Sequence, residues 1–337
     1  MTDTRPRVAL LLTGGTIGSG GHDENDRLDY VDLARVLSDD EALPLYRFPE
    51  HIEVVPQRFT RMRSNDVDLA VWRRLRDEIL RIEREEPDTA GIVIAHGTAT
   101  LEETAYFLQL TVPTTLPVVL VGAQRPPTAL GSDAQTNLQA AICLAASPAA
   151  RGHGVLVAMD DRILCARDVT KASNHALDAF EARVYGPLGE IDAYGNVWMY
   201  RKDLRAHTTT SAFAHLLDDP EVQLAPTEIV PMWAGATPRL LERALSDGAA
   251  GVVLAALPPS MSPQAVEDAV DAAVAAGVVV VQSSRAAGGR VHHRRDFDRR
   301  GLVSSDSLSP QAARVLLSLC LTAGYTIDQT RDAFASH

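Results

Sequence analysis

The chain has 337 residues, 46% of them hydrophobic, with a formal net charge of −12 and a pI near 5.3. That length suits two domains, and the apolar share suffices for a sizeable core. The acidic balance argues against nucleic acid, whose partners carry a basic field, and against an anionic membrane surface. Three widely spaced cysteines, Cys143, Cys165 and Cys320, form no disulfide framework and fit a reducing compartment, so a cytoplasmic location is expected.

The predicted elements alternate. Val8–Leu12 reads as a buried first strand ended by Gly14 and Gly15, too short for a signal-peptide core. Ile52–Val55 follows. Over residues 65–85, Val67, Val71, Leu75, Ile79 and Ile82 form one apolar helix face, with Ser64 as its expected cap. Gly91–Ala95, Pro117–Val121 and Gly154–Met159 read as buried strands, with helices at 101–110 and 133–146 between them. A second set has strands at Glu228–Trp233, Gly251–Leu257 and Gly277–Gln282, and helices near 239–247, 263–276 and 310–322. The predicted class is α/β, with a larger, mostly parallel-sheet N-terminal domain and a smaller C-terminal α/β domain. The expected boundaries are 1–205, a polar linker over 206–225, and 226–337. No run approaches the roughly 18–20 apolar residues of a membrane span.

In open parallel sheets, ligands gather at the carboxyl ends of the strands. There the sequence offers Thr13-Gly14-Gly15-Thr16, His96-Gly97-Thr98-Ala99-Thr100, Gly122-Ala123-Gln124-Arg125 and Arg167-Asp168-Val169-Thr170-Lys171. The glycines spell neither GxGxxG nor a P-loop, so no nucleotide cofactor is expected. Of the 32 Lys and Arg residues, only Lys171 and Lys202 are lysine. Arginine cannot give up its proton, whereas a desolvated lysine can and then serves as a general base. A salt bridge from Lys171 to Asp168 is the plainer alternative. Thr16 and Thr98 are candidate hydroxyls, weak nucleophiles that need such a base. The N–H groups of the loops at Gly15 and Gly97 are candidate oxyanion donors.

These loops resemble the bacterial L-asparaginase (asparaginase–glutaminase) family. The shared signatures are TGGTI at 13–17, HGTATLEETA at 96–105, VGAQRP at 121–126, ARDVTK at 166–171 and YGPLG at 185–189, so the resemblance covers nearly the whole chain. It implies Thr16 as nucleophile, Thr98 and Lys171 as its activating pair, Ser64 with Asn65 beside it at the substrate carboxylate, and Ala123 at the departing amide nitrogen. It also implies a dimer of dimers with composite active sites.

Ala99 departs from the pattern. The family has an aspartate there, which meets the substrate's α-ammonium. The family's lid tyrosine has no clear counterpart: its position falls near Asp23, and Tyr30 lies at an apparent helix start over Tyr30–Leu37. Arg294 or Arg295 stands near the place of a glutamate supplied by a neighbouring subunit. Either the substrate lacks the amine, or Asp23, Glu24 or Asp26 swings in, or Ala99 is an introduced substitution. Three functions compete: hydrolysis of L-asparagine or a related ω-amide with release of ammonia; hydrolysis of a non-amino-acid amide, ester or lactone; and ligand binding by an inactive relative. The run Arg290–Arg300 is read as a solvated loop. His292 and His293 lack partners at metal-ligand spacing, so no metal is expected.

Overall fold

The computed structural model describes residues 5–28 and 36–337. The chain divides into two compact units, 1–210 and 211–337.

The first unit is built on a sheet whose strands run in the order β10-β9-β6-β5-β4-β3-β1-β2. Its centre is β1 (Arg7–Leu12), β3 (Thr89–Ala95), β4 (Val118–Val121) and β5 (Val155–Met159), flanked by β2 (Glu53–Gln57). All neighbours from β2 to β5 pair in parallel. Every residue of β4 and β5 is buried, as are Val8–Leu12. Unbroken apolar runs are what a parallel sheet covered on both faces requires. Helices α2 (Leu69–Glu85), α3 (Leu101–Thr111) and α4 (Ala134–Ala146) supply cover, with a short α1 at Asp39–Ala42. α2 is amphipathic, burying Trp72, Leu75, Ile79 and Ile82, whereas α3 is buried on nearly every side. Buried Arg76 of α2 donates Nε–H to the carbonyl oxygen of Thr111, at 3.0 Å, placing positive charge at the carboxyl end of α3 where the helix dipole favours it.

Beyond β5 the sheet turns antiparallel through β6 (Arg162–Cys165), β9 (Gly189–Ile191) and β10 (Val197–Met199), while β7 (Val169–Lys171) and β8 (Phe180–Ala182) form a separate ribbon. These strands have three or four residues each, too few for a period to show in the sequence. The second unit carries a parallel sheet in the order β11-β12-β13-β14. Its strands are Thr227–Pro231, Gly251–Ala256, Val279–Ser284 and Val303–Ser304, and its helices are α5 (Arg239–Ser246), α6 (Gln264–Ala275), α7 (Arg295–Arg300), α8 (Pro310–Thr322) and α9 (Ile327–Ser336).

Two expectations need correction. The cap of α2 is Asp68, whose carboxylate accepts the Val71 N–H at 3.0 Å; Ser64 belongs to a separate 3₁₀ turn, Ser64–Asp66. Nor is the run Arg290–Arg300 a solvated loop throughout. Its second half is α7, and several of its charges are paired: Arg300 with Glu267 and Asp271 at 2.6 Å each, His293 with Asp298 at 2.9 Å, and Arg290 with Asp306 at 2.5 Å. Arg294 pairs with Asp296 and lies 4.5 Å over the Phe297 ring. The helix expected over Tyr30–Leu37, with Tyr30 in it, falls largely outside the described residues.

Candidate active site

The loops that end β1 and β3 meet at their glycines. Gly15 has φ 77°, and a Cβ there would lie 2.1 Å from the Gly97 Cα, inside any permitted contact. A Cβ on Gly97 would lie 2.5 Å from Ser64 Oγ. The absence of side chains at both positions brings Thr16, Thr98 and Ser64 to the walls of one cavity of about 270 Å³. Thr16 opens a 3₁₀ turn, Thr16–Gly18, steadied by Ser19 Oγ–H donating to the Gly15 carbonyl at 2.8 Å.

The loop His96–Thr100 is pinned from below. Trp72 Nε1–H donates to Thr104 Oγ1 at 2.9 Å, and Thr104 Oγ1 lies 3.2 Å from His96 Nε2. His96 Nδ1 lies 2.7 Å from the Gly97 carbonyl oxygen. Complete burial lowers the His96 pKa to about 4, with the Gly97 contact opposing. The ring is therefore neutral at ordinary pH, its Nδ1–H donating to Gly97 and its Nε2 accepting from Thr104.

Lys171, at the end of β7, donates Nζ–H to Thr98 Oγ1 at 2.7 Å. Burial lowers the Lys171 pKa, and the negative charge of Glu102 works against that. Glu102, in the first turn of α3, accepts the Lys171 backbone N–H at 2.8 Å. Its own pKa is raised by burial, opposed by hydrogen bonds from the Thr170 side chain and that N–H. Asp168 faces elsewhere and accepts the N–H groups of Val184 and Tyr185, so the expected alternative bond from Lys171 to Asp168 does not form.

Ser64 Oγ accepts the Ala99 N–H at 3.3 Å, and Thr100 Oγ1–H donates to the Ser64 carbonyl at 2.7 Å. Asn65 also lines the cavity, and Ala99 is exposed beside it. Ala123 is fully buried, and it is its neighbour Gln124 that reaches the wall. Asp133 holds that turn by accepting the N–H groups of Gln124 and Arg125, at 2.9 Å each. Asp23 and Asp26 accept local N–H groups, of Asn25 and His22, and neither they nor Glu24 lines the cavity. Lining residues to which the sequence analysis gave no role include Arg27, Arg63, Gln124, Asn174 and His175. Gln124 stands inside VGAQRP, and Asn174 and His175 follow Lys171 closely, so proximity to the motifs was the usable signal. Among the described residues, no group of three or more His, Cys, Asp or Glu side chains is arranged to hold a metal ion.

A hydroxyl bonded to a half-buried lysine, beside a second threonine and glycine-rich turns, is a site of the nucleophilic acyl-transfer class. The family model for the asparaginase N-terminal domain matches residues 7–205, and that for the glutaminase/asparaginase C-terminal domain matches 227–334. L-asparaginase 2 of Bacillus subtilis is 36% identical, covering 94% of this chain and 83% of its own. L-asparaginase 2 of Escherichia coli is 35% identical, covering 97% and 90%. The crystal structure of a probable cytoplasmic L-asparaginase from Campylobacter jejuni superposes with a TM-score of 0.84 at 32% identity, over 98% of this chain and all of that one. The chain belongs to the asparaginase family.

Proposed function

We propose that the protein hydrolyses the ω-amide of L-asparagine or a related compound through a threonine nucleophile. The observation that carries this reading is the 2.7 Å contact from Lys171 Nζ to Thr98 Oγ1, on a cavity wall shared with Thr16. With Lys171 neutral, the same contact runs the other way, and Thr98 passes its proton to the amine. Thr98 in turn relieves Thr16 of its proton as Thr16 Oγ1 bonds to the amide carbon. Loop N–H groups take up the developing oxyanion, the kind of donor whose loss costs about 10²–10³-fold in rate. Collapse breaks the carbon–nitrogen bond, and ammonia leaves with a proton returned from the lysine. Water then cleaves the threonyl ester, giving the free acid. The sum is amide plus water to carboxylate plus ammonium.

The test is ammonia release from L-asparagine and a panel of ω-amides, with Thr16→Ala as control. The variant should lose turnover and form no acyl adduct by mass spectrometry. An adduct mapped to Thr98 would reverse the two threonines, and no turnover with retained ligand binding would make the protein an inactive binder.

We also read the protein as a cytoplasmic dimer of dimers. No described helix is long and apolar enough to cross a membrane, and Cys143, Cys165 and Cys320 are free thiols. Edge strand β10 and its flanks expose Tyr194, Trp198, Tyr200 and Leu204, an apolar surface suited to a second copy. Light scattering after gel filtration should give four times the chain mass; a monomer would remove this reading.

A further inference from the structure

The cavity walls carry a lopsided set of charges. Arg27 and Arg63 line the cavity as cations, with Lys171 and His175 beside them, and among the described lining residues there is no aspartate or glutamate. Two carboxylates that follow these loops in the chain are committed elsewhere: Glu102 to the Lys171 backbone, Asp133 to the turn at Gln124 and Arg125. The neutral polar groups add donors. Ser64 Oγ already accepts the Ala99 N–H, so its own proton is left to donate. Gln124 Nε2 is buried and has no hydrogen-bond partner among the described residues. Loop 97–100 also leads into the amino end of α3, where the helix dipole favours negative charge. On the same wall Ala99 presents a methyl group.

We infer that the substrate is an anionic ω-amide without a free α-ammonium, of the succinamate or N-acylasparagine type. The inference rests on the amide-hydrolase reading of the same site. An ammonium moved from water into this cavity loses hydration and faces Arg27 and Arg63 with no counter-charge among the described lining residues, a cost that a neutral or acylated α-position avoids. A carboxylate there finds arginine, lysine, hydroxyl and amide donors. The cavity of about 270 Å³ leaves room for a substituent larger than an amine.

Succinate and L-aspartate, the products from succinamate and L-asparagine, differ only by the α-ammonium, so their binding tests this without any chemistry. Calorimetry on the intact protein should show succinate binding at least about tenfold more tightly than L-aspartate. Ala99→Asp, at an exposed position, should reverse the order by placing a carboxylate where the ammonium would lie. Ammonia release should rank succinamate and N-acetyl-L-asparagine above L-asparagine. Tighter binding of L-aspartate to the parent protein overturns the inference. So does a preference for asparagine that disappears in Asp29→Asn or Asp32→Asn, two acids outside the described residues that would then be the ammonium's partner. Succinate preferred with no ammonia released from any amide would remove the hydrolase reading and with it the ω-amide substrate, leaving only the cavity's preference for ligands without the ammonium.

Discussion

At Lys171 two environments pull on one proton. Burial lowers its pKa and the ionised Glu102 raises it, with burial the larger influence. A base must be neutral, so activity is expected to rise with pH through the Lys171 pKa and to be lost on the acid side. Lys171→Met should fold, as judged by circular dichroism, and lose nearly all turnover. Retention within about threefold of the parent, under ~1 kcal/mol in barrier, would remove Lys171 from the mechanism. Glu102→Gln keeps an oxygen to accept the Lys171 N–H while deleting the charge that favours the protonated lysine. Its acid limb in kcat/KM should therefore move to lower pH than the parent's. A limb that moves up or stays fixed would mean that Glu102 does not govern this proton.

The elements divide into those whose sequence carries a period and those that do not. The buried runs of β1, β3, β4 and β5 and the apolar stripe of α2 were legible, because a covered parallel sheet and an amphipathic helix each impose their own pattern. The ribbon β7–β8 and the antiparallel edge were not, since strands as short as Val169–Lys171 take their place from partners distant in sequence. The same limit hid part of the site. Thr16, Thr98, Lys171 and Ser64 could be named from motifs, but Arg27 and Arg63 carry no local signal and reach the cavity only through the fold. The Ser64 assignment shows how a local rule misleads: a serine ahead of a helical stripe looks like a cap, yet Asp68 sits closer to the first turn and takes the Val71 N–H. Asp68→Ala should cost about 1 kcal/mol of stability, the usual loss of an N-cap, with turnover unchanged. Urea unfolding alongside kinetics checks both; loss of activity at intact stability would mean that α2 positions the neighbouring Ser64 turn.

Across the whole molecule, acid brings opposing effects. The chain carries −12 at neutral pH, so neutralising carboxylates relieves self-repulsion. Glu102 and Asp168 push the same way: burial raises their pKa in the fold, so the folded state takes up protons more readily and gains stability as pH falls. His96 acts in reverse. Its pKa falls from 6.5 to about 4 on burial, so the unfolded chain binds the proton first. Its contribution is complete above the unfolded value and is lost as pH falls towards the folded one. Between about pH 7 and pH 5 the loss is on the order of 2 kcal/mol. Most carboxylates stay ionised over that interval, and His153 and His207, whose pKa burial also lowers, add to the slope that His96 sets. His96→Gln supplies one donor and one acceptor for Gly97 and Thr104 without a titrating ring. Unfolding in urea, followed through the buried Trp72 that joins the same hydrogen-bond chain, should show the parent losing stability over this interval more steeply than the variant. Equal slopes in the two proteins would mean that the imidazole is already protonated in the fold, and the neutral relay from Trp72 to Gly97 would have to be abandoned.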